Sequence, residues 1–77
     1  MNKSVIYTKS DCPYCVKAKY LLTQMNITYE EVVIGKDILR EEFVSTFPEQ
    51  KTVPLIFIDD AKVGGYEQLV KYFSPEQ

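Results

Sequence analysis

The chain of 77 residues has no histidine and only two cysteines, Cys12 and Cys15. With no histidine and no third cysteine, tetrahedral zinc could be completed only by carboxylates or by a second subunit, so the pair fits half of a zinc site poorly. Apolar segments are short: the longest, around Val53 to Ile58, is of strand length, far below the roughly 20 residues needed to cross a bilayer. Met1-Asn2-Lys3-Ser4 leads into only three apolar residues, too few for a secretory signal. Basic residues number 9 against 11 acidic ones, giving a formal charge of -2 and a pI near 5.0. Nucleic acid asks for a basic surface and is not an expected partner. The expectation is a soluble cytoplasmic chain folding as one domain over residues 1–77, with a small core that every long apolar segment must serve. It has no repeat, linker or low-complexity stretch.

What is present reads as a regular alternation. Ser4 to Thr8 is β-branched and aromatic, a buried strand ended by the polar Lys9-Ser10-Asp11 loop. From Pro13 to Met25, the positions Cys15, Ala18, Leu22 and Met25 recur at helical spacing with Leu21 beside them, and Asn26 ends the helix. Thr28 to Ile34 is a second strand. Gly35, one of only three glycines, then turns the chain, and Asp37 is the expected cap of a helix carrying Leu39, Phe43 and Phe47. Pro48 stops that helix. Lys51-Thr52-Val53-Pro54 leads into the strand Leu55 to Ile58, because proline is tolerated at a strand's start but not within it. Asp59-Asp60 turns the chain into a short antiparallel edge strand, Ala61 to Val63, and Gly64-Gly65 breaks it before a last helix with Leu69 and Phe73 on one face. Pro75 and the tail lie beyond, and Tyr20, Tyr29, Tyr72 and Phe73 are assigned to packing. The order strand, helix, strand, helix, strand, strand, helix predicts an α/β fold with a parallel crossover in its first half and a hairpin in its second.

Cys12-Pro13-Tyr14-Cys15 carries the chemistry. Residues three apart in the first turn of a helix share a face, at a Cα separation that a disulfide can bridge. Pro13 suits the first helical position, which puts Cys12 at the cap. A sulfur there faces the N-H groups of Tyr14 and Cys15 and the positive end of the helix dipole, which favour thiolate over thiol and lower its pKa. An ordinary thiol, with a pKa of about 8.5, is only a few per cent ionised at pH 7. Lowering the pKa raises the thiolate fraction, but intrinsic nucleophilicity falls with a Brønsted slope of about 0.4 to 0.5, and the two nearly cancel. The clear gain is as a leaving group from a mixed disulfide, which suits reversible exchange. A purely structural disulfide fits less well, since a four-residue loop gains on the order of 2 kcal/mol at most and the cytosol is reducing.

Taken together, Cys12-Pro13-Tyr14-Cys15, Thr52-Val53-Pro54 before an apolar strand, and Gly64-Gly65-Tyr66 resemble the glutaredoxin family over nearly the whole chain. The resemblance implies a thioredoxin-like fold, with a small mixed four-stranded sheet flanked by three helices. It implies a monomeric glutathione-dependent thiol-disulfide oxidoreductase, with Cys12 as nucleophile, Cys15 as buried resolving thiol and glutathione as co-substrate, without a metal. Its partners would be disulfide-containing or glutathionylated proteins, with ribonucleotide reductase a family-typical acceptor. A cis Pro54 would aim the backbone of Val53 at an extended ligand, beside Thr52. Gly65, Tyr66, Glu67 and Gln68 would receive the γ-glutamyl end, Lys9 would meet the glycine carboxylate or favour the thiolate, and Tyr14 would flank the groove.

One departure stands out. Many glutaredoxins have a small hydroxyl residue or Asp and then an Asp where this chain has Glu67 and Gln68. Gln68 can hydrogen-bond but cannot pair a charge with the ligand's ammonium. Gln at this place in a short chain is reminiscent of phage-encoded glutaredoxins. The departure keeps open a glutaredoxin-like protein served by thioredoxin reductase, and a more distant alternative is an iron-sulfur carrier, a role that the CPYC sequence disfavours within the family.

Overall fold

A computed structural model describes residues 3–74. Its seven elements are β1 (Val5–Thr8), α1 (Pro13–Gln24), β2 (Glu30–Val33), α2 (Arg40–Thr46), β3 (Leu55–Ile58), β4 (Ala61–Gly64) and α3 (Tyr66–Phe73). They follow the expected order, with strand ends shifted by up to two residues. Pro75 and the tail beyond it lie outside the described residues.

β1 is a central strand because it pairs on both edges, parallel to β2 (Val5 with Glu30 through Thr8 with Val33) and antiparallel to β3. β4 returns antiparallel to β3, so the sheet order is β2-β1-β3-β4, a parallel β-α-β half joined to a hairpin half. Side chains alternate across β1, which therefore feeds two packed layers. Ile6 and Thr8 are buried on one face, where Ile6 joins Ala18 and Leu22 of α1, Ile56 and Ile58 of β3 and Leu69 of α3 in the main core. Tyr7 takes the other face, with its ring 5.5 Å from that of Phe43, 5.3 Å from Phe47 and 6.2 Å from Phe57. The long loop between α2 and β3 is thus anchored by aromatic packing at Phe47. Leu22 has no exposed surface, and Leu22→Ala is expected to cost about 2–5 kcal/mol, a large share of the stability of so small a domain.

Three expectations need correction. Met25 is not on the buried stripe of α1: the helix ends at Gln24 and Met25 is 43% exposed. Asn26 is in the left-handed region (φ +60°), and the N-H groups of Asn26 and Ile27 close onto the carbonyls of Thr23 and Leu22 at 3.0 and 2.9 Å. This is a Schellman ending, and Ile27 takes the apolar contact that Met25 would have made. Asp37 does not cap α2. Its Oδ2 accepts the Val33 N-H at 2.9 Å and closes the turn after β2, while α2 begins behind Leu39, whose N-H donates to Glu42 Oε1 at 3.1 Å. Tyr20 is exposed rather than packed, because it projects from the side of α1 opposite Ala18; Tyr72 is half-exposed with its ring edge-on against Phe73 at 5.1 Å, and Tyr29 and Phe73 pack against the core.

A polar tie links β1, β2 and α1. The Thr8 hydroxyl, itself buried, donates to Glu31 Oε2 at 2.7 Å, and the Lys19 ammonium reaches the same oxygen at 3.0 Å. The Thr8 hydrogen bond, with the bond and charge of Lys19, holds the Glu31 carboxyl below its ordinary range against the opposing effects of burial and of Asp37. A carboxyl with a lowered folded-state pKa stabilises the fold above its unfolded pKa, and that contribution is lost as pH falls through the folded value. Glu31→Gln is therefore expected to lower the urea midpoint at pH 7, with the difference from wild type shrinking as pH is lowered through the carboxylate range.

Candidate active site

The turn Lys9 to Asp11 delivers the chain to α1 with Asp11 in the left-handed region (φ +58°). Cys12 is then extended (φ -120°, ψ 98°) at the N-cap, and Pro13 occupies the first turn. The Cys15 N-H donates to Cys12 Sγ at 3.1 Å, and the Cys12 carbonyl accepts from Cys15 and Val16. Of the two N-H groups expected to face the sulfur, that of Cys15 makes the hydrogen bond. Cys12 and Cys15 form a disulfide, with their Cα atoms 5.2 Å apart. The two sulfurs are unequally accessible, since Cys15 is 2% exposed while Cys12 is only half-buried. Solvent therefore reaches Cys12, while Cys15 is enclosed.

The loop before β3 approaches the same sulfur. The Val53-Pro54 peptide bond is cis, Pro54 is buried, and the Val53 carbonyl oxygen lies 4.0 Å from Cys12 Sγ. A groove of about 360 Å³ runs from there to the start of α3, lined by Tyr14, Thr52, Val53, Pro54, Gly65, Tyr66, Glu67 and Gln68. These are the residues nominated from sequence, except Lys9. The rings of Tyr14 and Tyr66 lie 5.8 Å apart on one wall, and the Lys17 ammonium stands 5.2 Å from the centre of the Tyr14 ring.

Lys9 is not in this groove. It lines a second, wider depression of about 640 Å³ that also touches both cysteines, together with Thr8, Asp11, Lys19 and Glu31. Both cysteines line this charged depression, whereas the first groove reaches them through Val53 and Tyr14. Lys17 was legible in principle, three residues beyond Tyr14 on one helix. Glu31 was not, because its neighbour Thr8 is 23 residues away in sequence. Among the described residues no group of three or more Cys, His, Asp or Glu side chains is arranged to hold a metal ion, and no helix is long and apolar enough to cross a membrane.

At the far end of the groove, β4 passes into α3 through Gly64 (φ +117°) and Gly65. Gln68 folds back over this junction, its Oε1 accepting the Gly65 N-H at 3.0 Å.

A mixed sheet carrying a helix-capping, partly accessible cysteine in a two-residue-spaced disulfide, beside a cis-proline loop, defines a thiol-disulfide oxidoreductase of the thioredoxin-like fold. The glutaredoxin family profile matches residues 5–63. The chain is 43% identical over 76 residues to glutaredoxin 1 of Rickettsia felis, covering 90% of this chain and 74% of that one. It is 39% identical over 64 residues to glutaredoxin 3 of Escherichia coli, covering 83% and 77%. Among solved structures, glutaredoxin 1 of Francisella tularensis complexed with cacodylate superposes with a TM-score of 0.77 at 34% identity, covering 99% of this chain and 96% of that one. A buckwheat glutaredoxin-glutathione complex gives a TM-score of 0.76 at 25% identity, covering 97% and 72%. The chain belongs to the glutaredoxin family, whose members are thiol-disulfide oxidoreductases.

Gly64 makes the groove's far end possible. Its φ of +117° suits glycine alone, and an added Cβ would lie 3.1 Å from Gln68 Cγ and 3.2 Å from Gln68 Cβ. Gly64→Ala is expected to lower stability by about 1–3 kcal/mol, read as a fall in the denaturation midpoint.

Proposed function

We propose that glutathione is the electron donor and mixed-disulfide partner of this chain, that Cys12 is the nucleophile and Cys15 the resolving thiol. The observation that carries the reading is the hydrogen bond from the Cys15 N-H to a partly accessible Cys12 sulfur at the start of α1. A thiolate held there is a good leaving group. In the two-thiol route Cys12 attacks a substrate disulfide and expels one thiolate, which takes up a proton. Cys15 then attacks the Cys12 sulfur and releases the second substrate thiol, leaving substrate reduced by two electrons and the cysteine pair oxidised. Two glutathiones return the pair to dithiol and leave as glutathione disulfide. In the one-thiol route Cys12 takes glutathione from a glutathionylated protein, and a second glutathione releases it.

The groove supports assigning the ligand's cysteinyl unit to the backbone of Val53, beside Thr52 and Pro54, where an extended peptide can pair as an added strand. The γ-glutamyl end would lie toward Gly65, Tyr66, Glu67 and Gln68, with Tyr14 along the wall. Lys9, in the separate depression that both cysteines line, fits better as a charge favouring the Cys12 thiolate than as a partner of the glycine carboxylate. The glutathione complex of the buckwheat relative supports the ligand class. Residues 1–77 would act as one monomeric domain in the cytoplasm, where glutathione keeps such a pair turning over, on glutathionylated or disulfide-bonded proteins such as ribonucleotide reductase.

Turnover of a glutathione mixed disulfide by wild type, Cys12→Ser and Cys15→Ser tests the roles. Cys12→Ser is expected to fall to background, and Cys15→Ser to keep one-thiol turnover while losing reduction of protein disulfides. Activity retained by Cys12→Ser overturns the assignment, and faster reduction of the wild-type disulfide by thioredoxin reductase than by glutathione overturns the donor.

A further inference from the structure

We infer that the ion pair of Lys19 and Glu31 sets the reduction potential of the Cys12-Cys15 couple, with Glu31 keeping the Lys19 charge from stabilising the reduced form. This rests on the proposed reading that Cys12 is held as a thiolate when the couple is reduced. Three observations place the ion pair where it can act. Lys19 and Glu31 line the depression of about 640 Å³ that both cysteines also line. Lys19 follows Cys15 by one turn of α1, and side chains four apart on a helix are neighbours, the later one leaning back toward the helix start. The Lys19 ammonium is held by Glu31 Oε2 at 3.0 Å, and the Thr8 hydroxyl fixes the same oxygen at 2.7 Å. The other charged groups in the lining are Lys9 and Asp11, so the depression is balanced in sign. Among the described residues, only Lys19 and Glu31 form an ion pair within it.

Reduction by two thiols adds two electrons to the disulfide and oxidises the donors to a disulfide of their own. It leaves Cys12 as thiolate and Cys15 as thiol, with one proton released to solvent. The disulfide carries no charge and the reduced couple carries one, so a nearby charge acts on the reduced form alone. An unopposed ammonium would favour that form and raise the potential, whereas an unopposed carboxylate would disfavour it and lower the potential. With both present the two effects largely cancel. The Thr8 hydrogen bond and Lys19 hold the Glu31 carboxyl below its ordinary range, so the balance persists at neutral pH. Each side chain of the pair is 31% exposed, so solvent screening is partial. Removing either charge is expected to shift the equilibrium constant for reduction by about two- to tenfold, equivalent to about 9 to 30 mV.

The fraction of protein reduced is measured by alkylation and mass at pH 7, in dithiothreitol and in glutathione buffers of graded redox ratio, for wild type, Glu31→Gln, Lys19→Met and the double variant. The equilibrium constant for reduction is expected to rise about two- to tenfold in Glu31→Gln, to fall by a similar factor in Lys19→Met, and to return to within about twofold of wild type in the double variant. The double variant separates charge from structure, because the tie is most disrupted there while the charge balance is restored. Thr8→Val loosens the tie with both charges kept and is expected to stay within about twofold of wild type. An unchanged potential in either single variant, shifts of the same sign in both, or a double variant displaced further than either single overturns the proposal and leaves the pair a structural tie. If Glu31→Gln does not fold, Lys19→Met and Lys19→Arg decide the matter: the absence of a fall in Lys19→Met, or an equal fall in Lys19→Arg, overturns it. Equilibration of wild type with dithiothreitol but not with glutathione overturns the glutathione donor, and the order of the variants still decides this inference. A Cys12 that titrates as free cysteine overturns the thiolate reading, and this inference with it.

Discussion

One hydrogen bond organises this molecule: the Cys15 backbone N-H given to the Cys12 sulfur at the start of α1. Helix N-termini have N-H groups without intrahelical partners, and most proteins fill them with a hydroxyl or carboxylate oxygen. Here a sulfur is the capping atom, so under the proposed mechanism the group that completes the helix is also the group that reacts. Capping and thiolate stabilisation are one interaction, and the protein strengthens the helix start whenever the sulfur carries charge.

The rest of the fold holds that interaction in place and gives it something to face. Ala18 and Leu22 fix α1 against β1 and β3 in the main core, which sets the position of the helix start above the sheet. Tyr7, Phe43, Phe47 and Phe57 pack the opposite face and anchor the loop that brings the Val53 carbonyl to 4.0 Å from the Cys12 sulfur. Leu69 ties α3 to the same core as α1, so the groove between Tyr14 and Gln68 has walls from separate elements held by one packed interior. Burial also separates the two cysteines, with Cys15 inside that interior and Cys12 at its rim.

Much of this was legible in the chain because it depends on local rules. The Cys-Pro-Tyr-Cys segment specifies a capped helix start, the stripe Cys15, Ala18, Leu22 specifies the buried face, and Gly64-Gly65 specifies a sharp entry to α3. What was missed depends on competition between local options or on contacts far apart in sequence. Asp37 is a good capping residue, yet the Val33 N-H lay nearer and took it. Met25 continued the helical stripe on paper, but Asn26 could enter the left-handed region and let Ile27 supply the apolar contact. Lys9 lies three residues before Cys12, yet the turn puts it in a separate depression and not in the groove. The Thr8, Lys19 and Glu31 tie joins three elements, and no spacing rule within any one of them announces it.

The claim beneath all of this is that backbone amides at the start of α1 hold the Cys12 sulfur as an anion. The pH dependence of alkylation of Cys12, in reduced Cys15→Ser protein where the residue 15 N-H is retained, tests it most directly. The account predicts a midpoint well below the value of about 8.5 for free cysteine. Alkylation that titrates together with free cysteine would contradict it.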